Sequence, residues 1–501
     1  MNGIFRTTVF MGATAVALIG SPALSQENDT VTIALRVAVN TLDPHMTASV
    51  GSDLSVLSHI YPALILRGPD LKLQPALAES WEMTDPTTWR FKLKSGAHFA
   101  NGEKLDAAAV KWNLDRVRDD AVGARIAAWF ELVSEVTAID ETTVEVKTSS
   151  PYPALADQLS MFLLLPPEWA KTHNPANETM SGGPYVVKEN VPGDHITLAA
   201  NPDYWGPKPE FETVIFRTIP ESAARTAALE AGEVDLITGV PATEIKRINE
   251  RGAAEAGAID SIRMMLGKFN HQKAPMENLK LRQAINYAID KEGIAQAIFD
   301  GNATVANCQL LTPAYFGYNP DLKPYPYDPE KAQELLAESG VDLSQPIEIE
   351  IPVGTYLQGE EVTQVIASQL QEVGLNVKIT EIEFGAFMNK QLKARDLAQI
   401  AVQGLAWPTI DADGMLTMFA PGNVYDYWNN AEFGALLDKG RASVDPEERK
   451  KIYADATKLM CEEAGALFLY AQPATYGISK RISWQSRGDD WVRAFDMTLR
   501  N

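Results

Sequence analysis

This sequence predicts an α/β fold with buried sheets, on three observations. Stretches of period two alternate with stretches of helical period, several helices start and stop on chemical caps, and one late run is apolar throughout. Trp89, Phe91 and Leu93 point one way while Arg90, Lys92 and Lys94 point the other, as in a half-buried strand. Leu281, Ala284, Ile285, Ala288 and Ile289 fall on one helical face. Asp328-Pro329 places a side-chain acceptor at an N-cap and a proline at the first helical position, and Gly340 marks that helix's end. Ile347, Ile349, Ile351 and Val353 alternate with Glu348 and Glu350 in a second half-buried strand, and Val362, Val365, Ile366, Leu370 and Val373 draw a helical stripe that stops before Gly374. Asp445-Pro446, with Glu448 completing a capping box, starts a helix that carries Cys461 and ends at Gly465. Ala466 to Tyr470 then reads as a buried strand. Turn signals such as Asn101-Gly102 and Ser181-Gly182-Gly183-Pro184 are short and no linker or repeat intervenes, so the domains are expected to be intertwined.

With 46% hydrophobic and 22% charged residues over 501 positions, the chain has the composition of an ordinary folded protein and the length of about three domains. Met1 to Arg6 holds one cation, Val9 to Gly20 is almost wholly apolar, and Ser21-Pro22-Ala23-Leu24-Ser25 supplies small residues, which predicts a signal peptide over 1–25 cleaved before Gln26. Its apolar run is too short for a membrane span, and no later stretch approaches about 20 apolar residues. No cysteine follows the run to be lipidated, so the mature chain is expected free in a bacterial periplasm rather than embedded in a membrane. A formal charge of −22, one unit more negative once Arg6 is removed, repels nucleic acid and anionic lipid and excludes both as partners.

Cys308 and Cys461, an even count in a chain bound for an oxidising compartment, are read as a disulfide, with two buried free thiols as the alternative. His45, His59, His98, His173, His195 and His271 stand at no metal-ligand spacing from one another or from a cysteine, so neither a metal site nor a cofactor is expected. There is no G-x-S-x-G elbow, no H-E-x-x-H, no G-x-x-x-x-G-K-[ST] and no dinucleotide fingerprint, and an enzyme is not expected. One segment invites chemistry: Trp407-Pro408-Thr409-Ile410-Asp411-Ala412-Asp413-Gly414 carries two carboxylates behind an aromatic ring. As a calcium loop it fails, because Met415 takes the third ligand position and the glycine arrives early. As an acid/base pair it is also a poor candidate.

Several stretches in joint order resemble the family of periplasmic solute-binding proteins that serve peptide, nickel and opine importers of the ABC type. They are Pro75-Ala76-Leu77-Ala78-Glu79-Ser80-Trp81-Glu82 with Thr88 to Gly96; Gly183-Pro184-Tyr185; Asn201-Pro202-Asp203-Tyr204-Trp205; Ala228 to Asp235; Leu281 to Asp290; and Tyr327-Asp328-Pro329-Glu330-Lys331-Ala332. The resemblance covers essentially the whole mature chain. It implies a two-lobed periplasmic binding protein fold with an extra subdomain inserted in lobe one: lobe one over 26–66, 185–268 and 475–501, the insertion over 67–184, and lobe two over 269–474. A disulfide between Cys308 and Cys461 would then brace lobe two without restraining a hinge.

The function implied is that of a monomeric receptor that captures a small peptide or peptide-like solute between its lobes and delivers it to ABC permease subunits. Alternatives are a non-peptide solute such as an opine, sugar conjugate or metal chelate, and a secreted hydrolase. In peptide-binding relatives an aspartate three residues after the cleft tryptophan takes the ligand amine. Here that place holds Ile410, so Asp411 or Asp413 is the expected polar handle and Trp407 the wall. The arginine that dipeptide binders use for the ligand carboxylate would fall near Gly354-Thr355-Tyr356, where there is none; Thr355 and Tyr356 are the expected contacts from that segment. Burying a carboxylate without a partner costs several kcal/mol, roughly, so simple dipeptides are not favoured.

Overall fold

A computed structural model describes residues 29–500, and the expected signal peptide at 1–25 lies outside the described residues. The central sheet has eleven strands. Ten form a path in the order Val377–Ile382, Ile347–Pro352, Ile400–Leu405, Ala254–Phe269, Leu467–Ser479, Leu236–Thr238, Thr30–Leu35, Thr213–Thr218, His195–Ala200 and Tyr185–Val191, and the short Thr304–Val305 pairs with Leu467–Ser479. Thr30–Leu35 lies parallel to both its neighbours, and Ile347–Pro352 does likewise at the other end. Between these two parallel groups run Ala254–Phe269 and Leu467–Ser479, antiparallel to each other.

Buried apolar side chains sort into separate cores. One gathers Val31, Ile33, Leu198, Val214 and Tyr185. A second gathers Phe91, Val110, Leu114, Val144 and Phe162 around the antiparallel sheet Ala78–Asp85, Thr88–Leu93, Thr143–Thr148 and Val133–Asp140. Two more lie within 262–471. The halves built on the first core and on the last two are here called lobe one and lobe two, and the second core belongs to the inserted subdomain. Ala254–Phe269, 16 residues long, extends about 50 Å, enough to serve both lobes. Its residues 254–260 pair with Ser479–Pro473, and Met264 and Leu266 already pack in lobe two.

The local expectations hold where local chemistry decides. Thr88–Leu93 alternates buried and exposed as its sequence does. Asp328 caps Pro329–Ser339 by accepting from the Lys331 N–H, and Gly340 closes it at φ 68°. Asp445 caps Pro446–Glu462 by accepting from the Glu448 N–H, but the Glu448 carboxylate takes the Ser443 hydroxyl, so the reciprocal half of the capping box is replaced. Two expectations give way to tertiary structure. Glu350, expected on a solvent face, is 1% exposed because Lys390 and the Ala398 N–H meet its carboxylate. The apolar run at Ala466 to Tyr470 is the beginning of the much longer crossing strand Leu467–Ser479.

Cys308 and Cys461 form a disulfide within lobe two, between residues 153 positions apart. In the chain-entropy account, a closed loop of that length stabilises by about 4 to 5 kcal/mol at most. Replacing both cysteines by serine should therefore lower the urea midpoint by an amount equivalent to a few kcal/mol, roughly. An unchanged midpoint would deny the disulfide that role.

Candidate functional site

The two crossing strands set the site. Between the pairs Asp260–Pro473 and Met264–Ala471, the three residues Ser261, Ile262 and Arg263 face the single residue Gln472. This bulge bends the strand and re-aims a side chain. The Ser261 hydroxyl donates to the Gln472 carbonyl at 2.5 Å and accepts the Arg263 N–H at 3.1 Å, which fixes the kink. Arg263 is left partly exposed, 2.8 Å from Asp490, a lobe-one residue with a left-handed backbone at φ 63°. Against the cost of burial, Asp490 holds the Arg263 guanidinium above its usual value.

Lobe two supplies the facing wall. Gly404 lies opposite Met265 in the sheet, and a Cβ on it would come 2.7 Å from Met265 Sδ and 3.0 Å from both Arg263 Cδ and Tyr356 Cε1. The missing side chain lets the Tyr356 ring and the Arg263 stem approach the sheet. Thr355 stands on the same loop, after Ile347–Pro352, and its carbonyl accepts from Arg36 Nη2 at 3.4 Å. Arg36 directly follows the lobe-one strand Thr30–Leu35, so this bond crosses from lobe to lobe.

Trp407 is half-buried, and its ring lies over Gly414, where a Cβ would be 2.0 Å from Cδ1. The Trp407 backbone N–H donates to the Tyr315 hydroxyl at 2.8 Å, and that hydroxyl donates to the Ile262 carbonyl at 3.2 Å. Trp407 is thereby tied to the bulge. Ile410, in the place where an amine-binding aspartate was expected, has φ 56° and is 5% exposed with its side chain in the lobe-two core. A β-branched residue in the left-handed region is strained, and backbone pairing of residues 410 and 412 with Phe316 holds it there. A second contact crosses to lobe two at this loop: Arg67 Nη2 donates to the Thr409 carbonyl at 3.0 Å and pairs with Asp157 at 2.7 Å.

The two carboxylates of this segment are matched inside lobe two. Asp411 caps the short helix Ala412–Leu416 and meets Arg449 through two bonds of 3.0 and 3.1 Å. Burial lifts its carboxyl to about 6, and Arg449 is what restrains the rise. Asp413 meets Arg441 at 3.0 Å. The structure therefore gathers Thr355 and Tyr356 with Arg36, Arg263 and Asp490, places Trp407 nearby through Tyr315, and turns Asp411 and Asp413 toward arginines. Arg36, Arg263 and Asp490 were not singled out by the sequence. The only available signal was Arg263, a charge interrupting the apolar run Ile262, Met264, Met265, Leu266.

If Asp411 serves Arg449 rather than a ligand, Asp411→Asn should cost folding stability, on the order of 3 to 5 kcal/mol, by leaving a buried guanidinium unpaired. Urea unfolding checks this; an unchanged midpoint would contradict it.

Residues 72–426 match the model of the middle region of the bacterial extracellular solute-binding proteins, family 5. The chain is 28% identical over 424 residues to the nickel-binding periplasmic protein of Escherichia coli, covering 79% of this chain and 78% of that one. It is 26% identical over 498 residues to the glutathione-binding protein of Escherichia coli, covering 96% of each. The solved structure of the binding protein AgaA from A. tumefaciens R10 with agropinic acid superposes with a TM-score of 0.81 at 26% identity, covering 94% of this chain and 99% of that one. Two lobes joined by crossing strands, an inserted subdomain and a sequence match across most of the described chain agree, and the chain belongs to the family 5 bacterial extracellular solute-binding proteins.

Proposed function

We propose that this chain is the periplasmic substrate-binding component of an ABC importer, a monomer that captures a small peptide or peptide-like solute between its lobes and delivers it to the permease subunits. The observation that carries the reading is the pair of cross-lobe bonds, from Arg36 to the Thr355 carbonyl and from Arg67 to the Thr409 carbonyl. Groups from both sides come together at one place only when the lobes are close. A solute that touches both sides stabilises that closed arrangement, and a permease can then select the closed shape. No bond in the solute need be broken.

In this reading Thr355, Tyr356 and Trp407 contact the solute, while Asp411 and Asp413 shape the loop that presents Trp407. The name of the glutathione-binding relative favours a peptide-like solute. The agropinic acid bound by AgaA favours an opine as the second reading.

A thermal-shift screen of short peptides, glutathione and opines should find a solute that raises the melting temperature. A solute at a hundred times its Kd contributes about 2.7 kcal/mol. Mass spectrometry should recover it unchanged, and turnover to a product would overturn the receptor reading. Trp407→Ala should weaken binding of that solute by about tenfold or more, as truncation of a buried aromatic anchor does; undiminished affinity would remove Trp407 from the site.

A further inference from the structure

Among the described residues most buried and half-buried arginines are matched and Arg36 is not; the fully buried Arg493 has one bond, to the Arg67 carbonyl, and lies over the Trp491 ring. Arg67, Arg441, Arg449, Arg481 and Arg487 each meet a carboxylate. Arg225 and Arg282 are wrapped in backbone carbonyls, four around the first and three around the second. Arg36 has one hydrogen bond, the long one to the Thr355 carbonyl, and among the described residues it forms no ion pair. A guanidinium carries five N–H donors, so most of those on Arg36 are unused.

The setting is built to hold this side chain in place. Its stem crosses Gly239, where a Cβ would lie 2.7 Å from Arg36 Cδ, and Gly239 is itself in the left-handed region at φ 68°. Beyond the stem, the guanidinium senses Asp490, whose charge is already engaged by Arg263 at 2.8 Å. Burial pushes the Arg36 guanidinium below its usual value, Asp490 opposes that, and Arg263 adds to it. Arg36, Arg263 and Asp490 therefore leave one net positive charge at the lobe junction of a chain whose formal charge is −22. The facing segment, Val353-Gly354-Thr355-Tyr356, contributes no cation of its own.

We propose that Arg36 is the anion subsite of the cleft: its free guanidinium edge takes a carboxylate of the solute in a paired hydrogen bond, supplied from lobe one against Thr355 and Tyr356 of lobe two. The solute class is thereby narrowed to acids, and a carboxylate seated there pulls the lobes together by adding a charge-assisted contact to the bond that already spans them. The inference rests on the receptor reading above, but not on the solute being a peptide.

The test compares wild type with Arg36→Gln, which keeps the stem over Gly239 and removes the charge. The probes are glutathione and its diethyl ester, which masks both carboxylates. Wild type should bind glutathione and respond weakly to the ester. Arg36→Gln should keep its own melting temperature within about a degree while its Kd for glutathione rises at least about tenfold, with the response to the ester unchanged. Equal affinity of variant and wild type for glutathione, or of wild type for acid and ester, overturns the proposal. If neither probe shifts wild type, the peptide-like reading fails and the subsite is decided on agropinic acid and citrate. A wild-type shift with either acid that is lost in Arg36→Gln upholds it, and no shift with either overturns it.

Discussion

Everything that makes this molecule a receptor depends on the pairing of two long strands. Ala254–Phe269 and Leu467–Ser479 hydrogen-bond to each other through most of their length, yet their outer edges serve opposite halves of the sheet, with Ile400–Leu405 on one side and Leu236–Thr238 on the other. A ribbon of this kind ties two cores into one molecule and keeps them separate bodies. The ladder is broken where Ser261, Ile262 and Arg263 oppose Gln472, and a broken ladder is where a strand bends most readily. Pro473 lies beside that break, and its lack of an N–H makes it suited to a position where the ladder is interrupted.

The same break positions the chemistry. Because three residues bulge out, Arg263 leaves the plane of the sheet and finds Asp490, and Tyr315 can reach from Trp407 to the Ile262 carbonyl. The ladder break and the groups gathered by Arg263 and Trp407 are thus in one place, and their spacing depends on the bend. Most charge near the junction is neutralised in advance: Arg449 by Asp411, Arg441 by Asp413, Arg67 by Asp157. In a partly dry cleft, whatever is left unmatched dominates recognition, since interactions weaken much less there than in bulk water.

Legibility in the sequence followed the range of the interaction. The strand at Trp89 to Leu93, the Asp328 and Asp445 caps and the helix stripes were readable because neighbours within a few residues decide them. Glu350 was misread because its partner, Lys390, lies 40 residues away on another element. Asp411 and Asp413 looked available because Arg449 and Arg441 come 38 and 28 residues later. The grouping of Arg36, Arg263 and Asp490 was hidden altogether, being made by chain crossings rather than by any local pattern. What sequence did single out beside this grouping was Thr355, Tyr356 and Trp407, on segments whose place in the family's order could be followed.

Gly404 has a consequence of a different kind. It lies within Ile400–Leu405, a strand buried at every position, yet the atoms nearest its absent side chain are ends and stems of other side chains rather than backbone. Its backbone is not in the left-handed region, so a larger residue meets no conformational barrier there. One added methyl group would lift the Tyr356 ring and the Arg263 stem from below. The volume and the charge placement around Tyr356 and Arg263 are in this sense adjustable from underneath, at a position within the sheet, which gives such a receptor a route to new ligands that leaves its frame alone.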